Sequence, residues 1–294
     1  MKQKVNLFIV GTVKGGTTWL YDVLSTSNNV FAPDLKEPHY FCENRVSRGY
    51  VKGLVDLKEY HQRIKGSEGF KYIVDGSATY MSEPDIPRKI YSYNNNTKII
   101  IMLRHPVRRA FSHYQMDLRE GYKLSDFVST LEKDVNQDGL RNGRMYIGLG
   151  LYHDIVNKYF EIFGKDHVHI ITYGDLVSDK FKVLKCISDF LSIEPDFSEA
   201  AINEKKNVAA LPRNQAASFV LSNDYMRDSI RKVVPMNVRS WLKNKVLTKK
   251  SDLTLNAEEC SEVYFKYFKD DSEKLFKLLN RHMWSDVDDI KTQF

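Results

Sequence analysis

The stretch VNLFIVGTVKGGTTWL (residues 5–20) decides the fold. Its first part, Val5 to Val10, is a near-continuous apolar, β-rich run of the kind that forms a buried parallel strand. A glycine-rich turn, GTVKGGTTW (11–19), follows, and Trp19, Leu20, Val23 and Leu24 then fall at helical spacing. Strand, glycine-rich turn and helix is the arrangement in which backbone N–H groups and a helix N-terminus converge on an anion. Gly11 and Gly16 have the spacing of G-x-x-x-x-G-K-[ST], yet Thr17 stands where that motif needs its lysine. The only lysine, Lys14, comes before Gly15 and Gly16, so it approaches an anion from the strand side instead of lying beside a terminal phosphate. A bare G-x-x-x-x-G could be a tight turn with no ligand. KGGTT directly before a helix is more specific, because Gly15 and Gly16 let the main chain come close and Thr17 and Thr18 add hydroxyl donors.

Three further apolar runs, YIVD (72–75), KIIIML (98–103) and VHIITY (168–173), read as buried strands, with helical stretches between them such as Val183, Leu184, Ile187, Phe190 and Leu191. Strands alternating with helices predict an α/β fold with a parallel sheet covered on both faces. No repeat or linker composition divides the 294 residues, which predicts a single domain, 1–294. Residues 44–69, rich in Lys, Gly and Tyr with little periodicity, read as an excursion from the sheet on the acceptor side. Residues 215–294 read as a helical extension, in which 257–279 carries one broad apolar helical face.

Hydrophobic residues at 42% and charged residues at 28% describe an ordinary globular chain. The opening apolar run is too short for a signal peptide core and no other run approaches a membrane span, so a cytoplasmic setting is expected. Three widely separated cysteines, Cys42, Cys186 and Cys260, suggest neither a disulfide framework nor a C-x-x-C metal site. The net charge of +6 is concentrated late: residues 227–250 hold eight Lys or Arg against one acid, Asp228. Within it, Ile230 to Leu247 reads as a short basic amphipathic helix, either packed on the core with its lysines in water or meeting an anionic glycan, headgroup or membrane surface. No nucleic-acid motif accompanies the charge.

The second constellation is TKIIIMLRHPVRRAFSHYQMDL (97–118), a strand that ends in Arg104, followed by Pro106 at the first position of a helix carrying Arg108, Arg109 and Ser112. An arginine at the carboxyl end of a parallel strand lies on the edge where α/β proteins bind ligands, and its planar fork suits a phosphate.

KGGTTW is similar to the 5′-phosphosulfate loop of sulfotransferases that use 3′-phosphoadenosine-5′-phosphosulfate (PAPS), and Arg104 with Ser112 resembles the 3′-phosphate pattern of the same family. The resemblance implies a P-loop-like three-layer fold, with PAPS as co-substrate, 3′,5′-adenosine bisphosphate as product and Lys14 at the transferring group. A sulfuryl group carries less charge than a phosphoryl group, so hydrogen bonds and a lysine can serve without a metal.

FAPDLKEPHYF (31–41) resembles the K-E-x-H-F-F stretch of glycan sulfotransferases of the heparan sulfate type, which makes Glu37 the base that deprotonates an acceptor hydroxyl. His39 is the rival base and reads as structural, since the family's histidine-using enzymes carry theirs in another segment. DGSATYM (75–81) looks like the E-K-[ST]-P-x-Y-F stretch, with Gly76 in place of the lysine and Ala78 in place of the proline. By the same resemblance Tyr173 meets the adenine, and NEKKNVAALPRNQ (203–215) is the late nucleotide-covering loop, with Asn207 and Arg213 closing over it. A glycan acceptor is implied by K-E-P-H-Y-F. A small hydroxylated metabolite or lipid acceptor, a P-loop kinase and a nucleotide-binding protein without catalysis are the alternatives. Oligomeric state is not legible.

Overall fold

The computed structural model of the chain describes residues 3–43, 46, 51–136, 145–204, 210–214, 217, 220, 238, 246, 248–250 and 253–284. Its centre is a sheet of five parallel strands, β1 (Leu7–Gly11), β2 (Val30–Phe31), β3 (Tyr72–Asp75), β4 (Lys98–Leu103) and β5 (Val168–Thr172), in the order β2-β3-β1-β4-β5. From β1 the chain builds β2 and β3 on one side, then crosses to the other for β4 and β5. The carboxyl ends of β1 and β4 therefore flank the point where strand order reverses, the place where open α/β sheets bind ligands. All four strands expected from the sequence are present, and β2, only two residues long, is the addition.

The apolar runs are continuous because each strand is covered on both faces, and their side chains divide by the two-residue period. Phe8, Val10, Ile99, Ile101 and Leu103 point into one core, while Leu7, Ile9, Ile100 and Met102 point into the other. Against the second face lie helix α1 (Thr17–Leu24) and, later in the chain, the helices Lys180–Leu191 and Glu199–Asn203. The first face is covered by helix α2 (Leu57–Gln62), helix α3 (Ile86–Tyr93) and, later, the helix His153–Phe163. A third cluster joins helix α4 (Pro106–Arg119) to helix α5 (Phe127–Asn136) through Val107, Ala110, Phe127 and Leu131.

Residues 51–69, the described part of the segment 44–69, add no strand to the sheet and pack on it: Leu54, Tyr60 and Ile64 enter the core, the Pro38 carbonyl accepts the Leu54 N–H, and Ser67 bonds Gln3 at the amino end of β1. Two expectations are corrected. Tyr173 is not a strand residue. Thr172 caps the helix Tyr173–Ser178 through a reciprocal box with Asp175, so the chain turns helical one residue early. Finally, 257–279 is two helices, Ala257–Tyr267 and Lys269–Leu279, parted at Phe268, whose φ of −124° leaves the helical region while its ring is buried. The proposed basic helix lies almost wholly outside the described residues.

Candidate active site

The turn after β1 is shaped by contacts that only glycine allows. A Cβ on Gly15 would stand 2.5 Å from the Met102 carbonyl oxygen and 2.9 Å from that of Thr12, both backbone atoms. Gly16 has φ +99°, in the left-handed region, and starts α1. The Thr12 N–H donates to Met102 O at 2.6 Å and the Gly15 N–H to Thr12 O at 2.9 Å, which presses the loop against the carboxyl end of β4.

Lys14 also has a positive φ, +69°. Its Nζ donates to Met116 Sδ on α4 at 3.8 Å. Burial, then the positive charges of Arg119 and Arg104, bring its pKa down to about 8. The charges of Glu120 and Asp117 offset this only in part, and among the described residues no carboxylate is in hydrogen-bonding contact with the ammonium, so an arriving anion stabilises it.

Arg104 closes the second wall. Its Nη1 donates to Lys14 O at 3.3 Å and its guanidinium carbon lies 4.5 Å from the Tyr173 ring centroid. Its Nε is buried without a hydrogen-bond partner among the described residues. Tyr173 also faces the loop, since a Cβ on Gly16 would meet its ring at 3.2 Å. Lys14, Gly16, Arg104 and Tyr173, drawn from three distant parts of the sequence, thus surround one crevice. Ser112 is half-buried on α4, and Arg213 is exposed after the short strand Ala210–Pro212. Asn207 lies outside the described residues. Trp19 is turned away from the crevice: its ring is in the core and its Nε1 donates to Ile202 O at 3.1 Å.

On the β3 side, Gly11 is packed against Ala78, whose carbonyl oxygen lies 2.9 Å from where a Gly11 Cβ would be, so the segment after β3 borders the loop. There Glu37 is held by two neighbours, with Oε1 2.6 Å from Lys36 Nζ and Oε2 3.3 Å from His39 Nε2. Burial opposes its charge, but the hydrogen bond from His39 and the charge and hydrogen bond of Lys36 win, holding the carboxyl at about 2. Since 37% of the side chain remains exposed, an acceptor can reach it.

Sequence reasoning missed what stands behind Glu37. His39 Nδ1 is 2.8 Å from Thr79 Oγ1, which is 3.2 Å from Cys42 Sγ, so His39 links Glu37 to a buried polar chain. The buried Asp75 carboxylate accepts four hydrogen bonds, from the Ser77 N–H and hydroxyl and from the Tyr60 and Tyr80 hydroxyls, and Ser77 Oγ in turn accepts the His39 N–H. Burial still raises the Asp75 pKa despite these donors. The signal for this network was Asp75 closing the apolar β3 with the hydroxyl residues Ser77, Thr79 and Tyr80 soon after it. A cavity of about 610 Å³ lined by Gln3, Asp56, Leu57 and His61 lies at the opposite, amino end of β1 and takes no part in the crevice.

Residues 4–266 match the family model described as "Sulfotransferase domain", and the chain belongs to that family. Among curated relatives, heparan sulfate glucosamine 3-O-sulfotransferase 3B1 of Mus musculus is 27% identical over 194 residues, 66% of this chain and 47% of that protein. The chain spans about half the length of the curated relatives it matches. Among solved structures, a sulfotransferase from Alicyclobacillus acidocaldarius superposes with a TM-score of 0.72 at 22% identity, covering 95% of this chain and 97% of that one. Mouse sulfotransferase SULT7A1, complexed with PAP, gives 0.51 at 15% identity over 98% of this chain and 88% of that one. These likenesses confirm the α/β fold with its central parallel sheet.

Proposed function

We propose that the protein is a PAPS-dependent sulfotransferase that moves the sulfuryl group to a hydroxyl of a carbohydrate acceptor, with Glu37 as general base and Lys14 stabilising the transfer. One observation carries the reading: the Lys14 loop, the Arg104–Tyr173 pair and the Glu37 cluster line one edge of the sheet, on either side of β1. The relatives named for heparan sulfate glucosamine 3-O-sulfation support a glycan as the acceptor.

In this reading the amides of Gly16, Thr17 and Thr18 and the Lys14 ammonium hold the phosphosulfate, Gly15, whose N–H is bonded to Thr12 O, lets the main chain come close, and Trp19 contributes through its backbone since its ring is in the core. Arg104, whose buried Nε has no partner among the described residues, takes the 3′-phosphate with Ser112. Tyr173 meets the adenine, and Asn207 and Arg213 close over the nucleotide.

The acceptor oxygen attacks sulfur in line and its proton passes to Glu37. The bond from sulfur to the 5′-phosphate oxygen breaks, and its electron pair leaves on 3′,5′-adenosine bisphosphate. With a pKa near 2, Glu37 is fully ionised at neutral pH but is a weak base. It gains the proton only as the forming bond to sulfur makes the acceptor hydroxyl acidic. Charge developing on the leaving phosphate falls beside Lys14 and the loop amides, fixed before the reaction begins.

A cytoplasmic setting, with residues 227–250 meeting an anionic surface, is the location proposed with this activity. The test is transfer of labelled sulfate from PAPS to heparan sulfate oligosaccharides, other glycans and small alcohols. Label in a glycan that disappears with Glu37→Gln supports the reading, and label only in small alcohols overturns the acceptor class.

A further inference from the structure

We infer that Lys36 is a second catalytic cation, placed on the acceptor side of the transferring sulfuryl group as Lys14 is on the nucleotide side. The inference rests on the PAPS-dependent reading above and adds a residue to its chemistry.

The space at the end of β3 is the first ground. Gly76 follows β3 directly, and a Cβ there would stand 2.7 Å from Tyr21 Cδ2 and 3.4 Å from Lys36 Cγ. No side chain can leave the strand end at this point without displacing the Tyr21 ring. The Lys36 stem, entering from the neighbouring segment, takes that position, and the Gly76 N–H donates to Lys36 O at 3.2 Å to fix the backbone that carries it.

The ammonium itself is the second ground. Lys36 Nζ donates to Glu37 Oε1 at 2.6 Å and to Gly76 O at 3.3 Å, and it lies 5.9 Å from the Tyr21 ring centroid. An ammonium has three N–H donors, and these two acceptors, those it has among the described residues, leave one for a ligand. With the side chain only 18% exposed, the ammonium is held against Glu37 and the end of β3 and not in bulk water.

The third ground is chemical. A lysine that served only as the partner of Glu37 would make the base weaker and slow proton removal. A lysine that also meets the sulfuryl oxygens offsets that loss, because its grip changes during the reaction. As Glu37 takes the acceptor's proton its charge is neutralised, and the ammonium turns toward the oxygens on sulfur while Gly76 O still holds it. Lys36 keeps its own proton throughout. The acceptor proton ends on Glu37, the new bond joins acceptor oxygen to sulfur, and the electron pair of the broken S–O bond leaves on the bisphosphate.

The test compares wild type, Lys36→Met, Lys36→Arg and Glu37→Gln. Affinity for 3′,5′-adenosine bisphosphate is measured by titration calorimetry. PAPS turnover is followed from pH 5 to 9 with heparan sulfate oligosaccharides, or with water where no oligosaccharide is accepted. The expected result is bisphosphate affinity within about twofold of wild type for Lys36→Met, a kcat lower by about a hundredfold at every pH, and substantial recovery in Lys36→Arg. A Lys36→Met enzyme that reaches wild-type kcat once the pH exceeds a raised acid limb would overturn the inference, since Lys36 would then only set the acidity of Glu37. Loss of bisphosphate affinity in Lys36→Met would overturn it too, by putting Lys36 on the nucleotide side or in the fold. Failure of the underlying reading looks different: wild type would not turn over PAPS, or Glu37→Gln would match it, and the inference would fall as well.

Discussion

The Arg104 guanidinium lies 4.5 Å from the Tyr173 ring centroid and donates to the Lys14 carbonyl, so one side chain ties the end of β4 to both the anion loop and the end of β5. A cation over an aromatic face is worth about 1–2 kcal/mol when desolvated. Tyr173→Ala should therefore weaken bisphosphate binding by about tenfold, whereas Tyr173→Phe, which keeps the ring, should stay near wild type. Calorimetric titration of the two variants checks this, and an equal loss in both would move the contribution from the ring to the hydroxyl.

On the proposed function, Lys14 should make nucleotide binding depend on pH. In the free protein its pKa is about 8, and a bound anion raises it, so binding takes up a proton when the lysine starts neutral. Affinity for 3′,5′-adenosine bisphosphate should hold steady below pH 7 and fall as pH rises through 8. Lys14→Met should bind more weakly and lose that slope. A titration series between pH 6.5 and 9.5 reads both effects.

The Gly15 contacts make a sharper demand. A methyl group at 2.5 Å from a backbone oxygen cannot be relieved by turning a side chain. Gly15→Ala should push the loop off β4, abolish bisphosphate stabilisation and lower the melting temperature even without ligand. Retained stabilisation by the bisphosphate would mean that the loop adjusts without losing its amide geometry.

Asp75 tests the support behind the base. Asp75→Ala strands the buried Tyr60 and Tyr80 hydroxyls and frees Ser77, which holds the His39 backbone. Leaving such groups unpaired costs about 1–3 kcal/mol each, so unfolding free energy should drop by about 3 kcal/mol or more. Denaturant melts measure it, and a loss under 1 kcal/mol would show that water satisfies the tyrosines.

How much of this was legible in the sequence follows from the physics of each part. Buried parallel strands must be apolar throughout, and YIVD and KIIIML appear in the fold with the bounds read from the sequence. The tight turn after β1 was legible because close backbone approach demands glycine at Gly15 and Gly16. The place of Arg104 was legible because the end of β4 fixes it. Tyr173 was misread as strand because Thr172 and Asp175 form their cap with side chains only three residues apart, a local choice that the apolar run conceals. The packing of 51–69 left no mark in the sequence because Tyr60 bonds Asp75, fifteen residues away. Contacts of that kind, like His39 with Thr79, leave no period in the sequence.

The central claim is that the crevice beside β1 is built for a nucleotide bearing a 3′-phosphate and a 5′-phosphosulfate. Thermal unfolding in the presence of 3′,5′-adenosine bisphosphate, compared with ATP plus magnesium at the same concentration, tests it most directly. The account predicts a clear rise in melting temperature with the bisphosphate, little or none with ATP and magnesium, and loss of the rise in Arg104→Ala. Stronger stabilisation by ATP and magnesium would contradict it.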